Sequence, residues 1–184
     1  MGLDAFDTVL IVGAGPIGLG AIVNARYRGA RVIVVASAGS WRAARALEMG
    51  ACCVLDPRAQ DLIERVRGLT DGHGVDCALD CAGAVAAERL CLEATRRRGR
   101  VAFVGECNAD LAIRVSPDLI RKGLTVAGSW HYNRTDFPAV MKIIRESPLI
   151  DLLISHVLPM SSIQEAFELS ASHRTAKVIL KPWE

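Results

Sequence analysis

The chain has 184 residues, enough for one domain with a sizeable core and a short appendage. It is 51% hydrophobic, 23% charged and only 5% aromatic, a balance that suits helices packed closely on a buried sheet. A net charge of +2 gives no electrostatic case for nucleic acid or a membrane surface as partner, and no apolar run reaches the roughly 18 residues of a transmembrane helix.

Strand and helix signals alternate along the chain. Thr8–Val12 is a short apolar run ended by glycine, hence a buried strand. A helix is expected over 16–28, with proline near its start and Gly29 just past its end. Arg31–Val35 is a second β-branched run, followed by a helix over 40–49 closed by Gly50. Residues 52–55 read as a third strand, and Asp56-Pro57 as the start of a helix carrying Leu62, Ile63, Val66 and Leu69. Val75–Asp80 is a fourth strand, 84–97 a helix, 100–104 a fifth strand closed by Gly105. Ser116-Pro117-Asp118 opens a short helix, and 124–128 is a sixth strand. The pattern predicts an α/β fold, a Rossmann-type doubly wound parallel sheet of about six strands with helices on both faces.

The texture changes from about Phe137. A helix over 137–145 precedes the apolar run 152–158; Ser161-Ser162-Ile163-Gln164-Glu165 reads as a capping signal for a helix through Leu169, and 177–180 is a terminal strand. Two parts are expected: residues 1–150 as the Rossmann-type domain, and 151–184 as a helix and strand segment.

Gly13-Ala14-Gly15-Pro16-Ile17-Gly18 matches G-x-G-x-x-G directly after a strand and at the opening of a helix, the context that the motif requires. Gly13 permits the tight turn, Gly15 lets a pyrophosphate approach the backbone, and Gly18 lets helix and strand pack closely. The free amides and positive end of the helix then receive the diphosphate. About twenty residues on, where an acid usually holds the adenosine ribose, stands Ala36-Ser37-Ala38-Gly39-Ser40-Trp41-Arg42. Without a carboxylate to repel a 2′-phosphate, and with Ser37, Ser40 and Arg42 able to donate to one, NADP is favoured over NAD. The other reading makes Arg42 a solvated helix residue and the preference lax.

The remaining reactive residues carry less. Cys77 and Cys81 lie about 13 Å apart on one strand, too far for one tetrahedral ion, and no cysteine pair has zinc-knuckle spacing. All six cysteines are expected to be reduced. His131 is read as a loop residue, and His73, His156 and His173 have no nearby partner that suggests chemistry. Arg96-Arg97-Arg98 are expected to end a helix, where cations suit the dipole. No catalytic and no metal-binding residue is assigned. With no basic segment and cleavage site at the N-terminus, a cytoplasmic protein is expected.

Several blocks occur in family order: TVLIVGAGPIGL at 8–19, EMGA at 48–51, GVDCALDCAG at 74–83, GRVAFVG at 99–105, and QEAF at 164–167 followed by KVIL at 177–180. Together they resemble the C-terminal, cofactor-binding part of zinc-type medium-chain alcohol dehydrogenases, nearest the threonine and sorbitol dehydrogenase branch. The resemblance implies that Cys81-Ala82-Gly83 and Val104-Gly105-Glu106 line the cofactor from the ends of strands four and five. It puts Ser129 and Trp130 beside the nicotinamide carboxamide and Lys177 near the pyrophosphate. Ser37 occupies the family's usual Asp position. In that family the catalytic zinc, its Cys, His and Glu ligands and a four-cysteine structural zinc belong to an N-terminal β-rich domain, which is expected to be missing here. Residues 151–184 would pack back on that domain, and pairing through the sheet edge makes a homodimer the expected assembly. Two other readings stay open: a non-enzymatic NAD(H) or nucleotide-sensing module, and a methyltransferase using a similar glycine turn.

Overall fold

The computed structural model describes residues 2–184. Six strands form one sheet: β1 (Thr8–Val12), β2 (Arg31–Val35), β3 (Cys53–Leu55), β4 (Val75–Asp80), β5 (Thr95–Phe103) and β6 (Thr125–Gly128). Their order is β3-β2-β1-β4-β5-β6, and each neighbouring pair is parallel. The winding reverses between β1 and β4, which opens a crevice at the C-terminal ends of those strands.

Two cores explain why the strands read as unbroken apolar runs. Val9, Ile11, Val32 and Val34 face one way, onto helices α1 (Pro16–Tyr27) and α2 (Trp41–Glu48), through Leu19, Ile22 and Met49. Leu10, Val12, Ile33 and Val35 face the other way, onto α3 (Leu62–Gly68) and α4 (Val85–Ala94), through Val66, Cys91 and Leu92. Alternate side chains point to opposite faces of a strand, and both faces are covered.

Charged contacts pin the opposite end of the sheet, where β1 and β4 begin. The Arg100 guanidinium donates to both Asp7 carboxylate oxygens at 2.7 and 2.8 Å and to the Cys77 sulfur at 3.0 Å. Asp76 accepts from the Thr8 amide at 2.7 Å and from Arg96. That last contact corrects one expectation. Helix α4 stops at Ala94, and Arg96-Arg97-Arg98 belong to β5 rather than to a helix end. Arg96 is drawn to Asp76, while Arg98 adopts a left-handed backbone (φ 58°) and donates its amide to the Lys122 carbonyl.

Helix α3 likewise starts at Leu62, not at Asp56-Pro57. The Asp56 carboxylate takes the amides of Ala38 and Arg58 and makes a turn instead. Residues 115–120 form a single π-type turn, tied to α4 by Arg89, which donates to Asp118 at 2.6 and 2.9 Å.

The last third adds helices α5 (Phe137–Glu146), α6 (Ile150–Leu153) and α7 (Ile163–Ala171), and a parallel pair, β7 (Ile154–Pro159) and β8 (Lys177–Lys181), in a sheet of its own. Helix α7 follows Ser162, whose side chain makes no capping bond, so the expected serine cap does not form. Leu152, Leu153 and the buried Ala176 pack on the α1 side of the main core. No helix among the described residues is long and apolar enough to cross a membrane.

Ile33 is fully buried at the centre of β2. Ile33→Ala is expected to lower unfolding free energy by about 2–5 kcal/mol, measured as a fall in the urea midpoint with an unchanged slope.

Candidate dinucleotide site

The crevice gathers the ends of five strands. Gly13 leaves β1 with φ at 102°, a conformation open to glycine, and its amide donates to the Val35 carbonyl at 2.9 Å. The Cys81 amide donates to the Val12 carbonyl at 2.8 Å, which locks the next turn beside the first. Asp80, fully buried at the end of β4, accepts from the amides of Ala82 (2.9 Å) and Gly83 (3.2 Å). Burial pushes its carboxyl above the usual range, and these two amides pull it back. The Asp80 carbonyl accepts from Val104 and Gly105, each at 3.0 Å. Ser129 donates its amide to the Phe103 carbonyl at 2.9 Å.

The three motif glycines are glycine for different reasons. A Cβ on Gly13 would meet Ala82 N at 3.0 Å, and one on Gly18 would collide with the Gly13 carbonyl oxygen. Both are required by the protein's own packing. Gly15 is not: a Cβ there would meet only an Arg42 guanidinium nitrogen, at 4.0 Å, and its φ of −69° suits any residue. What glycine leaves free at position 15 is space in front of the N-terminus of a 12-residue helix. That cradle fits a diphosphate, which needs close approach to backbone amides.

Ser37 and Ala38 are exposed beyond the end of β2. Arg42, in the first turn of α2, donates to the Thr175 carbonyl at 3.0 Å and pairs with His173 Nδ1 at 3.2 Å. His173 therefore has a partner in Arg42, one that positions the loop and brings no catalytic group. Residues 173–175 thus lie against the start of α2, and sequence spacing gave no sign of it. A second residue that sequence reasoning passed over is Asp56, whose carboxylate accepts from the Ala38 amide at 3.0 Å. An acid does reach this loop, from β3 instead of β2. Arg58 holds Asp56 well below the usual carboxylate range and offsets its charge.

Cys81, Ala82 and Gly83 abut Val104, Gly105 and Glu106, because Gly83 and Gly105 each lie too close to the facing turn for a Cβ. Burial pushes the Cys81 thiol up to about 12, so it is a neutral wall residue and not a nucleophile. Trp130 is 70% exposed, edge-on to His131 at 4.5 Å. Lys177 is exposed at the start of β8. A mostly apolar cleft of about 470 Å³ adjoins Gly13, with Val35, Pro57, Ile63, Ala82 and Leu90 in its wall. Pro57 and Ile63 were not among the expected site residues.

Comparison with known proteins agrees with this geometry. Residues 16–146 match the family described as zinc-binding dehydrogenase. The chain belongs to that family. It is 35% identical over 179 residues to an L-threonine 3-dehydrogenase of Pyrococcus furiosus, covering 95% of this chain and 51% of that one. The Symbiobacterium thermophilum L-threonine 3-dehydrogenase is 30% identical over 183 residues, with 95% and 51% covered. An alcohol dehydrogenase structure from Thermotoga maritima superposes with a TM-score of 0.88 at 33% identity, covering 96% of this chain and 50% of that one. The chain spans about half the length of the curated relatives it matches. The matched part is the nucleotide-binding domain of zinc-type alcohol dehydrogenases. Among the described residues of this zinc-binding dehydrogenase domain, no three His, Cys, Asp or Glu side chains are grouped as metal ligands. They do not fit a zinc ion.

The motif glycines divide between fold and ligand. Gly18→Ala is expected to destabilise the domain by about 1–3 kcal/mol through overpacking, whereas Gly15→Ala leaves the thermal midpoint within a degree or two, roughly the effect of a neutral surface change. Parallel thermal melts of the two variants check this.

Proposed function

We propose that this chain is the NAD(P)-binding half of an alcohol or polyol dehydrogenase, serving hydride transfer to or from an alcohol carbon. The observation that carries the reading is Gly15, which the protein's own packing does not require and which opens room at a helix N-terminus. In this reading Gly13, Gly15, Pro16, Ile17 and Gly18 hold the diphosphate. The cleft beside Val35, Pro57 and Ala82 takes the adenine, and Ser37, Ala38 and Arg42 take the adenosine ribose. The turns at 81–83 and 104–106 wall the cofactor, Ser129 and Trp130 receive the carboxamide, and Lys177 approaches the pyrophosphate. The bound dinucleotide supplies the hydride acceptor or donor.

NADP is the preferred form. Ser37 offers a hydroxyl where an acid would repel a 2′-phosphate, and Arg58 offsets the one nearby carboxylate, Asp56. Arg42 would exchange its His173 contact for the phosphate, gaining a charge-assisted bond. Polarising an alcohol calls for a Lewis acid, so turnover depends on a metal-bearing catalytic domain acting with this one. The six free thiols suit the cytoplasm. The assembly we propose is a homodimer through β6, an edge strand whose four residues are all exposed.

Calorimetric titration of the chain with NAD⁺, NADP⁺ and S-adenosylmethionine tests the cofactor. NADP⁺ binding is expected to exceed NAD⁺ binding, and Gly15→Asp to abolish both without unfolding the chain. Arg42→Ala should weaken NADP⁺ by roughly tenfold and leave NAD⁺ unchanged. Binding of S-adenosylmethionine in their place would overturn the dehydrogenase reading. For the assembly, sedimentation equilibrium should give a dimer mass that Val126→Glu reduces to the monomer; a monomeric wild type refutes pairing through β6.

A further inference from the structure

We propose that Cys52 and Cys53 form a two-thiol clip for a trivalent arsenical, a site independent of the dinucleotide reading. The two sulfurs are 3.9 Å apart, with the Cys52 thiol donating to the Cys53 sulfur. Adjacent residues in a strand point to opposite faces. Cys52, however, occupies a bend just before β3, and so both thiols reach the same side. The backbone there is fixed, since the Cys52 amide donates to the Val32 carbonyl at 2.8 Å. Cys52 is exposed, and the pair lies at the start of β3, the edge strand of the sheet opposite β6.

The geometry favours a bridging atom over a direct disulfide. Consecutive Cα atoms are about 3.8 Å apart, below the roughly 4.4 Å at which disulfides usually begin. Closing to an S–S bond of about 2.0 Å would strain the Cys52–Cys53 peptide, next to the one that carries the β2 hydrogen bond. A single soft atom between the sulfurs needs no such closure, and thiols select soft centres. Protonation points the same way. Burial, then the neighbouring Cys52, push the Cys53 thiol up to about 11. A neutral thiol is a poor nucleophile toward peroxide or disulfide. Condensation with an arsenic hydroxide consumes that proton: R–As(OH)₂ and two thiols give R–As(S–Cys)₂ and two waters. Two As–O and two S–H bonds break, two As–S bonds form, and arsenic stays trivalent. Of the other cysteines, Cys77 and Cys91 are buried, and Cys81 and Cys107 are partly covered, as Cys53 is.

The test treats the full chain with phenylarsine oxide and follows intact mass. One phenylarsenic group per chain should survive excess glutathione and leave on addition of 2,3-dimercaptopropanol, because two-point attachment resists monothiols. Cys52→Ser and Cys53→Ser should each lose this resistance by roughly a hundredfold, while Cys107→Ser keeps it. Circular dichroism confirms that the variants fold. An adduct that glutathione strips from the wild type, or one that persists in either single variant at 52 or 53, overturns the proposal.

Discussion

The crevice depends on one buried carboxylate. Asp80 ends β4 with no access to water, and its side chain is satisfied by the amides of the turn that follows it. Its backbone carbonyl receives two more amides from the end of β5. Desolvation opposes the charge and holds the carboxyl above its usual range, and those local donors offset part of this. The Cys81–Gly83 turn is thereby fixed against both the glycine loop and the Val104–Glu106 turn. A Cβ on Gly105 would collide first with the Gly83 backbone and then with Asp80 Oδ2, at 2.9 Å. The mouth of the sheet is held by short-range polar contacts, whereas its body is held by hydrophobic burial.

The far end of the sheet uses a different device. Asp7, Asp76, Arg96 and Arg100 join β1, β4 and β5 where the strands begin. These contacts are remote from the crevice, so they bear on stability and leave the site's electrostatics largely alone. The division suits an α/β sheet, in which ligands meet the carboxyl ends of strands.

Much of this was legible in the sequence because both signals involved are local. Runs such as Val32-Ile33-Val34-Val35 declare a doubly covered strand, and Gly13-x-Gly15-x-x-Gly18 declares its turn within six residues. What stayed hidden was non-local. Arg96 leaves helical geometry for Asp76, twenty residues away. The Asp56 turn delays α3 because its carboxylate is engaged by Ala38. Arg42 meets Thr175 and His173 more than 130 positions on, a contact that no periodicity announces. The cleft wall at Pro57 and Ile63 appears only once β3 is laid beside β2. Each omission is a tertiary contact overriding a local preference.

The contrast among the three motif glycines also bears on how such a domain changes through descent. Positions 13 and 18 are guarded by steric exclusion inside the chain, so selection for folding alone preserves them. Position 15 has no such guardian. A lineage that kept this architecture but abandoned its ligand would retain the outer glycines and let the middle one drift. The middle residue is thus a molecular record of whether the crevice is still in use.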